Sequence, residues 1–179
     1  MKNWQQVKDM LKKHEALSLT LYTCPSGKQT IGYGHNIEDL GISQEVADLL
    51  LEQDTQIAYK QVHNAIKCFD SLSEARQYVL IDMCFNMGIS KLMTFKKMLS
   101  ALDKGDYISA SREMLDSKWA RQVKSRANYL ACVMQSGVWY THYVNNADIK
   151  ISVNSIVIEK LVVYDSQKNK VYYGCCIYY

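Results

Sequence analysis

The chain has 179 residues, of which 48% are hydrophobic and 22% charged. That is enough apolar material for the core of one ordinary domain with an appendage, and it excludes a disordered chain. Only 8 glycines and 1 proline occur, which excludes collagen-like and low-complexity architectures and disfavours a loop-rich all-β domain. With 21 basic and 18 acidic side chains the formal charge is +3, which suits an anionic partner such as cell wall or nucleic acid without requiring either.

Trp4, Val7 and Leu11 mark one face of a first helix reaching about Glu15. Leu17, Leu19 and Leu21 alternate, Pro25-Ser26-Gly27 makes a turn, and Thr30-Ile31-Gly32-Tyr33-Gly34 returns, so residues 17–34 read as a small β-hairpin. Ser43 caps a helix whose apolar positions, from Val46 to Ile66, fit one long helix or two broken ones. Ser71 and Glu74 form a capping box for a helix ending at Gly88. Further helices are expected from Leu92 to Leu102, from Tyr107 to Leu115 behind Asp106, and from Ser125 to Gly137. The outline is a small hairpin-bearing lobe, a connecting helix and a helical bundle.

Composition changes once, near Gly137. All eight methionines precede it, and seven of the thirteen tyrosines follow it. Ile149, Ile151 and Val153 alternate with polar residues, and Val157 and Leu161–Val163 lead to a polar turn at residues 164–170 followed by Val171-Tyr172-Tyr173. This tail reads as a β-hairpin, with room for a third strand. The expected division is 1–140 as the main domain and 141–179 as a β-rich appendage. The six cysteines show no Cys-x-x-Cys pair and no zinc spacing, and the opening residues lack an apolar leader. Free thiols in a reducing cytosol are therefore expected, and nothing calls for a metal. No run of about 18 apolar residues exists to span a membrane.

The stretch from His14 to His35 carries the chemistry. It places Glu15 where the first helix ends, Cys24 at the hairpin turn and Thr30 on the returning strand. Leu17, Leu19 and Ile31 as neighbours would desolvate Glu15, raise its pKa and keep it protonated as a general acid. A hydroxyl facing it could hold a water. On periodicity alone the same residues also read as a surface glutamate, a buried strand cysteine and a threonine of β propensity, and both readings stay open at this level.

The segment resembles the active-site stretch of phage-type lysozymes, the endolysin muramidases of glycoside hydrolase family 24. The pattern of a catalytic Glu, then Asp or Cys, then Thr before Ile-Gly-x-Gly-His falls on Glu15, Cys24, Thr30 and Ile31–His35. Asp82–Gly88 resembles the family's central helix, and Ser117–Gln122 with Arg126-Ala127 resembles its C-terminal block, which ends in a Gly-x-Trp like Gly137-Val138-Trp139. The likeness covers most of residues 5–140 in order. It implies an α+β, mainly helical, lysozyme-like fold.

The resemblance further implies that Glu15 is the proton donor and Thr30 the residue that positions water. Arg126 would pair with Glu15 or orient it, and Phe85 and Asn86 would line the cleft, although Phe85 reads equally as core. His35 reads as a structural histidine held by a nearby acid. Cys24 stands where many members have Asp. A thiol of ordinary pKa, about 8.5, is only a few per cent thiolate at neutral pH, so Cys24 is expected as a weak helper to the water and not as a nucleophile. Glu38 and Asp39 are not expected to replace the missing carboxylate.

The activity implied is hydrolysis of the β-1,4 bond between N-acetylmuramic acid and N-acetylglucosamine in peptidoglycan, without a cofactor. A catalytically weak lysozyme-fold wall-binding or structural protein, a lytic transglycosylase and a thiol hydrolase using Cys24 are the alternatives. Glycan strands are the expected partner, with no nucleic acid and no membrane insertion. The chain would be a monomer whose tail can mediate oligomerisation. It would sit in the host bacterial cytoplasm and reach the periplasmic wall after a holin opens the membrane.

Overall fold

The computed structural model describes residues 3–138 and, from the C-terminal segment, the strands 151–153, 156–159 and 176–177. By internal contacts the chain divides into two units, residues 1–52 and 53–179.

In the first unit, α1 (Trp4–His14) starts at Asn3, whose side chain accepts from the Gln6 N–H, and ends with Glu15 in extended conformation. Lys12, Lys13 and His14 occupy its last turn, where positive charge complements the exposed carbonyls. The strands β1 (Ser18–Thr23) and β2 (Gln29–Gly32) form the expected antiparallel hairpin, with Tyr22 opposite Thr30. Its turn is closed by the Cys24 N–H on the Lys28 carbonyl at 2.9 Å and the Gly27 N–H on the Cys24 carbonyl at 2.8 Å. A third strand, β3 (His35–Asn36), and a single helical turn, α2 (Ile37–Leu40), were not foreseen. Both are too short for periodicity to register, and α2 depends on the Asn36 side chain accepting from the Asp39 N–H. From Gln44 to Ala65 runs one unbroken helix, α3, which crosses the boundary between the units.

The second unit holds the described hydrophobic core. A 3-10 turn (Phe69–Ser71) leads to α4 (Glu74–Met87). The expected capping box on Ser71 is not made: its hydroxyl donates back to the Cys68 carbonyl, and Ser73 holds the cap position. The helix expected from Leu92 to Leu102 is two, α5 (Ile89–Leu92) and α6 (Lys96–Asp103). They part where the Thr94 hydroxyl donates to the Lys91 carbonyl, which competes with helical bonding. The helix α7 (Tyr107–Leu115) begins as expected on Asp106, which accepts from the Ser109 N–H. An unforeseen helix, α8 (Lys118–Val123), is capped by Ser117 and stops at Lys124, the one non-glycine residue of positive φ (48°) among those described. The last helix, α9 (Ser125–Ser136), ends at Gly137 in left-handed conformation.

Phe69, Leu80, Met83, Leu92, Met98, Met114, Trp119, Leu130 and Met134 are fully buried in this unit. Each fully buried side chain of this size contributes about 1.5–3 kcal/mol. Met83, Met98, Met114 and Met134 are thus core packing, whereas Met10 and Met93 are exposed. Cys24, Cys68 and Cys84 are free thiols. The expectation of free thiols fails at the buried Cys132 of α9, which is disulfide-bonded, because spacing along the chain carries no signal of pairing.

Three further strands, β4 (Ile151–Val153), β5 (Ile156–Glu159) and β6 (Cys176–Ile177), pair antiparallel in that order. Val153 stands opposite Ile156. Trp139, the polar turn expected at 164–170 and Val171-Tyr172-Tyr173 lie outside the described residues. The mainly helical α+β arrangement with a small antiparallel sheet is the one expected. Among the described residues no helix is long and apolar enough to cross a membrane.

Candidate active site

Glu15 is the residue at which α1 stops, and its extended backbone turns the chain towards the sheet. Its carboxylate lies against the loop between β2 and β3: a β-carbon placed on Gly34 would stand 3.6 Å from Oε2. Gly34 has φ +81°, a region that side chains other than glycine rarely adopt. The glycine pattern of residues 32–34 therefore brings the loop backbone beside the glutamate. Glu15 is exposed, as are Leu17 and Leu19 at 52% and 82%. The apolar wall expected from the leucines is not formed, because Leu17, just before β1, and Leu19, on β1, stand in solvent.

Cys24 and Thr30 are brought together across the base of the hairpin turn. The Cys24 sulfur lies 2.9 Å from the Ser26 hydroxyl. Thr30 is 3% exposed, and its hydroxyl donates to the Lys28 carbonyl at 3.1 Å. Hydrogen bonds from Ser26 first, then from Thr30 and the Lys28 backbone, lower the Cys24 pKa from 9.0 to about 7. The hydroxyl proton of Thr30 thus has two acceptors in reach, a carbonyl and a thiolate. The expectation of an ordinary thiol, only a few per cent ionised, is corrected here. Hydroxyls two and six residues away make it roughly half thiolate at neutral pH.

The acids beyond the loop are engaged elsewhere. Lys28 Nζ pairs with Glu38 at 3.0 Å and with Asp39 at 2.8 Å, and these contacts, Asp39 first, raise the lysine pKa. Glu38 also accepts from the Gln29 N–H at 3.1 Å. The expected acid for His35 is replaced by a backbone group, as its Nε2 donates to the Gly41 carbonyl at 2.7 Å.

Phe85, Asn86 and Arg126 belong to the second unit. Phe85, on α4, is 44% exposed, which removes the reading of it as core. Asn86 accepts from the Trp119 indole N–H at 2.9 Å, tying α4 to α8. Arg126 is held by a partner that was not singled out. Its Nε and Nη2 each donate to Asp82 at 2.9 Å, a bidentate pair between α9 and α4. Ser26 and Lys28 were also missed as tuners of Cys24. Asp82 stood within a quoted motif, but no local signal tells which of its residues faces an arginine 44 positions on.

A family model described as phage lysozyme matches residues 12–131, a span that contains all six candidate site residues. The chain belongs to the phage lysozyme family. Among its relatives, Probable T4-type lysozyme 1 of Dictyostelium discoideum is 28% identical over 160 residues, covering 73% of this chain and 94% of that protein. An Endolysin of Acyrthosiphon pisum secondary endosymbiont phage 1 is 33% identical over 116 residues, covering 63% and 75%. The Pre-baseplate central spike protein Gp5 of Enterobacteria phage T4 is 27% identical over 157 residues, covering 72% of this chain but only 27% of that protein. The matched stretch ends inside α9, so residues 132–179 fall beyond it.

Proposed function

We propose that this member of the phage lysozyme family is an endolysin-type muramidase that hydrolyses the β-1,4 bond between N-acetylmuramic acid and N-acetylglucosamine and so lyses bacteria. Glu15 gives its proton to the glycosidic oxygen as the bond from that oxygen to the anomeric carbon breaks. A water held by Thr30 attacks the same carbon, and the Cys24 thiolate takes the water's proton. The thiolate supplies the negative charge that an aspartate would otherwise provide, and a single displacement by water inverts the anomeric configuration. Phe85 and Asn86 contact the saccharide, and Arg126 fixes the α4–α9 face that carries them. Access to the wall from the host cytoplasm through a holin-opened membrane, a monomeric state and a tail able to mediate oligomerisation belong to the same proposal.

The observation that carries the reading is the pairing of a Glu15–Gly34 contact with the Cys24–Ser26–Thr30 cluster in one small lobe. The test is muropeptide analysis of purified sacculi digested by wild type and by Glu15→Gln. Loss of proton donation costs about 10² to 10⁴ in rate, and the poorly basic leaving oxygen places the expected loss at the upper end. A Glu15→Gln variant that still clears sacculi at near wild-type rate would sink the assignment. Products with 1,6-anhydro ends instead of reducing ends would make the enzyme a transglycosylase.

A second reading, a catalytically weak wall-binding or structural protein, is favoured by two observations. One is Cys24 at the expected Asp position, and the other is the relative whose name is that of a spike protein. A turbidity assay with matched sacculus-binding data separates the two, since this reading requires binding without clearing.

A further inference from the structure

Glu38 and Asp39 of α2, with the lysine they share, form a charged cluster that the proposed chemistry leaves unused. All four of their carboxylate oxygens accept a hydrogen bond. Glu38 takes Lys28 Nζ at 3.0 Å and the Gln29 N–H at 3.1 Å. Asp39 takes Lys28 Nζ at 2.8 Å and the Asn36 side-chain amide at 2.9 Å. The Gln29 N–H and the Lys28 carbonyl belong to one peptide unit, which is trans, and in a planar trans peptide the two groups point in opposite directions. A carboxylate on the N–H therefore aims the carbonyl the other way. That carbonyl accepts from the Cys24 N–H at 2.9 Å and from the Thr30 hydroxyl at 3.1 Å. A single peptide unit thus faces α2 with one edge and the Cys24–Thr30 pair with the other.

We propose that Glu38, braced by Asp39 through Lys28, is a positioning residue that fixes this peptide and so holds Thr30 and the turn against the Cys24 sulfur. The inference rests on the muramidase reading, in which Cys24 is the base, and gives α2 a part in it. Exposed ion pairs are weak one at a time. Here two carboxylates share one ammonium, and two further bonds fix the carboxylates themselves, so the group acts as a network. Asp39 first and Glu38 next raise the Lys28 pKa, and the charge of the Cys24 sulfur adds to the rise. The elements around the turn also carry Glu15 at the end of α1, Tyr22 on β1 opposite Thr30, Tyr33 after β2, and His35 on β3, which bonds to the Gly41 carbonyl.

Charge and positioning predict opposite signs. Removing a negative charge near a thiol lowers its pKa by charge alone, whereas loosening the peptide withdraws hydrogen bonds from the thiolate and raises it. Iodoacetamide alkylation is followed against pH, read at Cys24 by peptide mass spectrometry, in wild type, Glu38→Ala, Asp39→Asn and Lys28→Arg. Burial raises the Cys68 thiol to about 11 and raises Cys84 as well, so both react later. With wild-type circular dichroism retained, Glu38→Ala should raise the midpoint by about 0.5 pH unit and Asp39→Asn by about half as much. Lys28→Arg, which keeps both acids paired, should stay at the wild-type midpoint. On sacculi Glu38→Ala should lose about threefold in kcat at pH 6.5 with KM unchanged, and the deficit should narrow as pH approaches about 9. A midpoint that falls or stays fixed in Glu38→Ala, or a kcat deficit independent of pH, would overturn the proposal. If Glu38→Ala fails to fold, Asp39→Asn carries the same test. If wild type clears no sacculi, the muramidase reading fails by itself, and the alkylation midpoint still decides the positioning role.

Discussion

Cys24 has acquired by its turn what its residue type lacks. Two hydroxyls and a backbone group lower its pKa to about 7, which gives it the charge that the proposed role as base requires. The rate of iodoacetamide alkylation should rise with pH through a midpoint near 7, and Ser26→Ala should move that midpoint upwards. A lowered value also has a consequence for folding. The stabilisation by the thiolate is complete above about pH 9 and is lost as pH falls through about 7. In lysis assays Cys24→Asp should be active, and Cys24→Ala should lose less than Glu15→Gln. A trapped glycosyl-cysteine adduct, or retained configuration in the fresh product, would instead make Cys24 the nucleophile.

At the level of the elements, the end of α9 shows how one glycine serves two constraints. Arg76 donates to the carbonyls of Met134 and Gln135 at 2.8 and 3.1 Å, and its guanidinium carbon lies 3.4 Å from the centroid of the Tyr107 ring. The Ser73 hydroxyl donates to the Gly137 carbonyl at 3.1 Å. These bonds satisfy carbonyls that a helix leaves open at its C-terminus. A β-carbon on Gly137 would stand 2.5 Å from Arg76 Nη1. The guanidinium can swing away only by giving up both carbonyls and the ring. Gly105 has a similar φ, +70° against +73°, but open space around it. Gly105→Ala should therefore cost about 1 kcal/mol, from backbone strain alone. Gly137→Ala should cost about 2–3 kcal/mol, because the displaced Arg76 adds to the same strain. Thermal or urea denaturation of the two variants measures the difference, and equal losses would show that Arg76 relaxes freely.

For the whole molecule, the question is what residues beyond α9 contribute. The family match ends at residue 131, and Met134 is the last buried core residue among those described; we propose that the tail takes no part in the chemistry of Glu15, Cys24 and Thr30. A chain truncated after Tyr140 should keep its helical circular dichroism and clear sacculi within about threefold of the wild-type rate, an effect no larger than surface changes usually bring. An insoluble or unfolded truncate would make residues 141–179 part of the core and remove the division at 140.

Local chemistry determined the helices that carry their own punctuation. Asp106 before α7 and Gly137 after α9 are start and stop signals that act within one turn, so they were legible in the sequence. The order Glu15, Cys24, Thr30 was legible as well, because α1, the turn and β2 are built from neighbours in the chain. The small elements and the break between α5 and α6 were not. They depend on single side-chain bonds, such as Asn36 to Asp39 and Thr94 to Lys91, that compete with periodicity. What remained was decided by tertiary structure: the Arg126–Asp82 pair, the Asn86–Trp119 bond and the exposure of Phe85 and Glu15. Those properties belong to packing. A side chain's partner, or its solvent, is set by which distant surface the fold lays beside it, and no spacing rule along the chain encodes that.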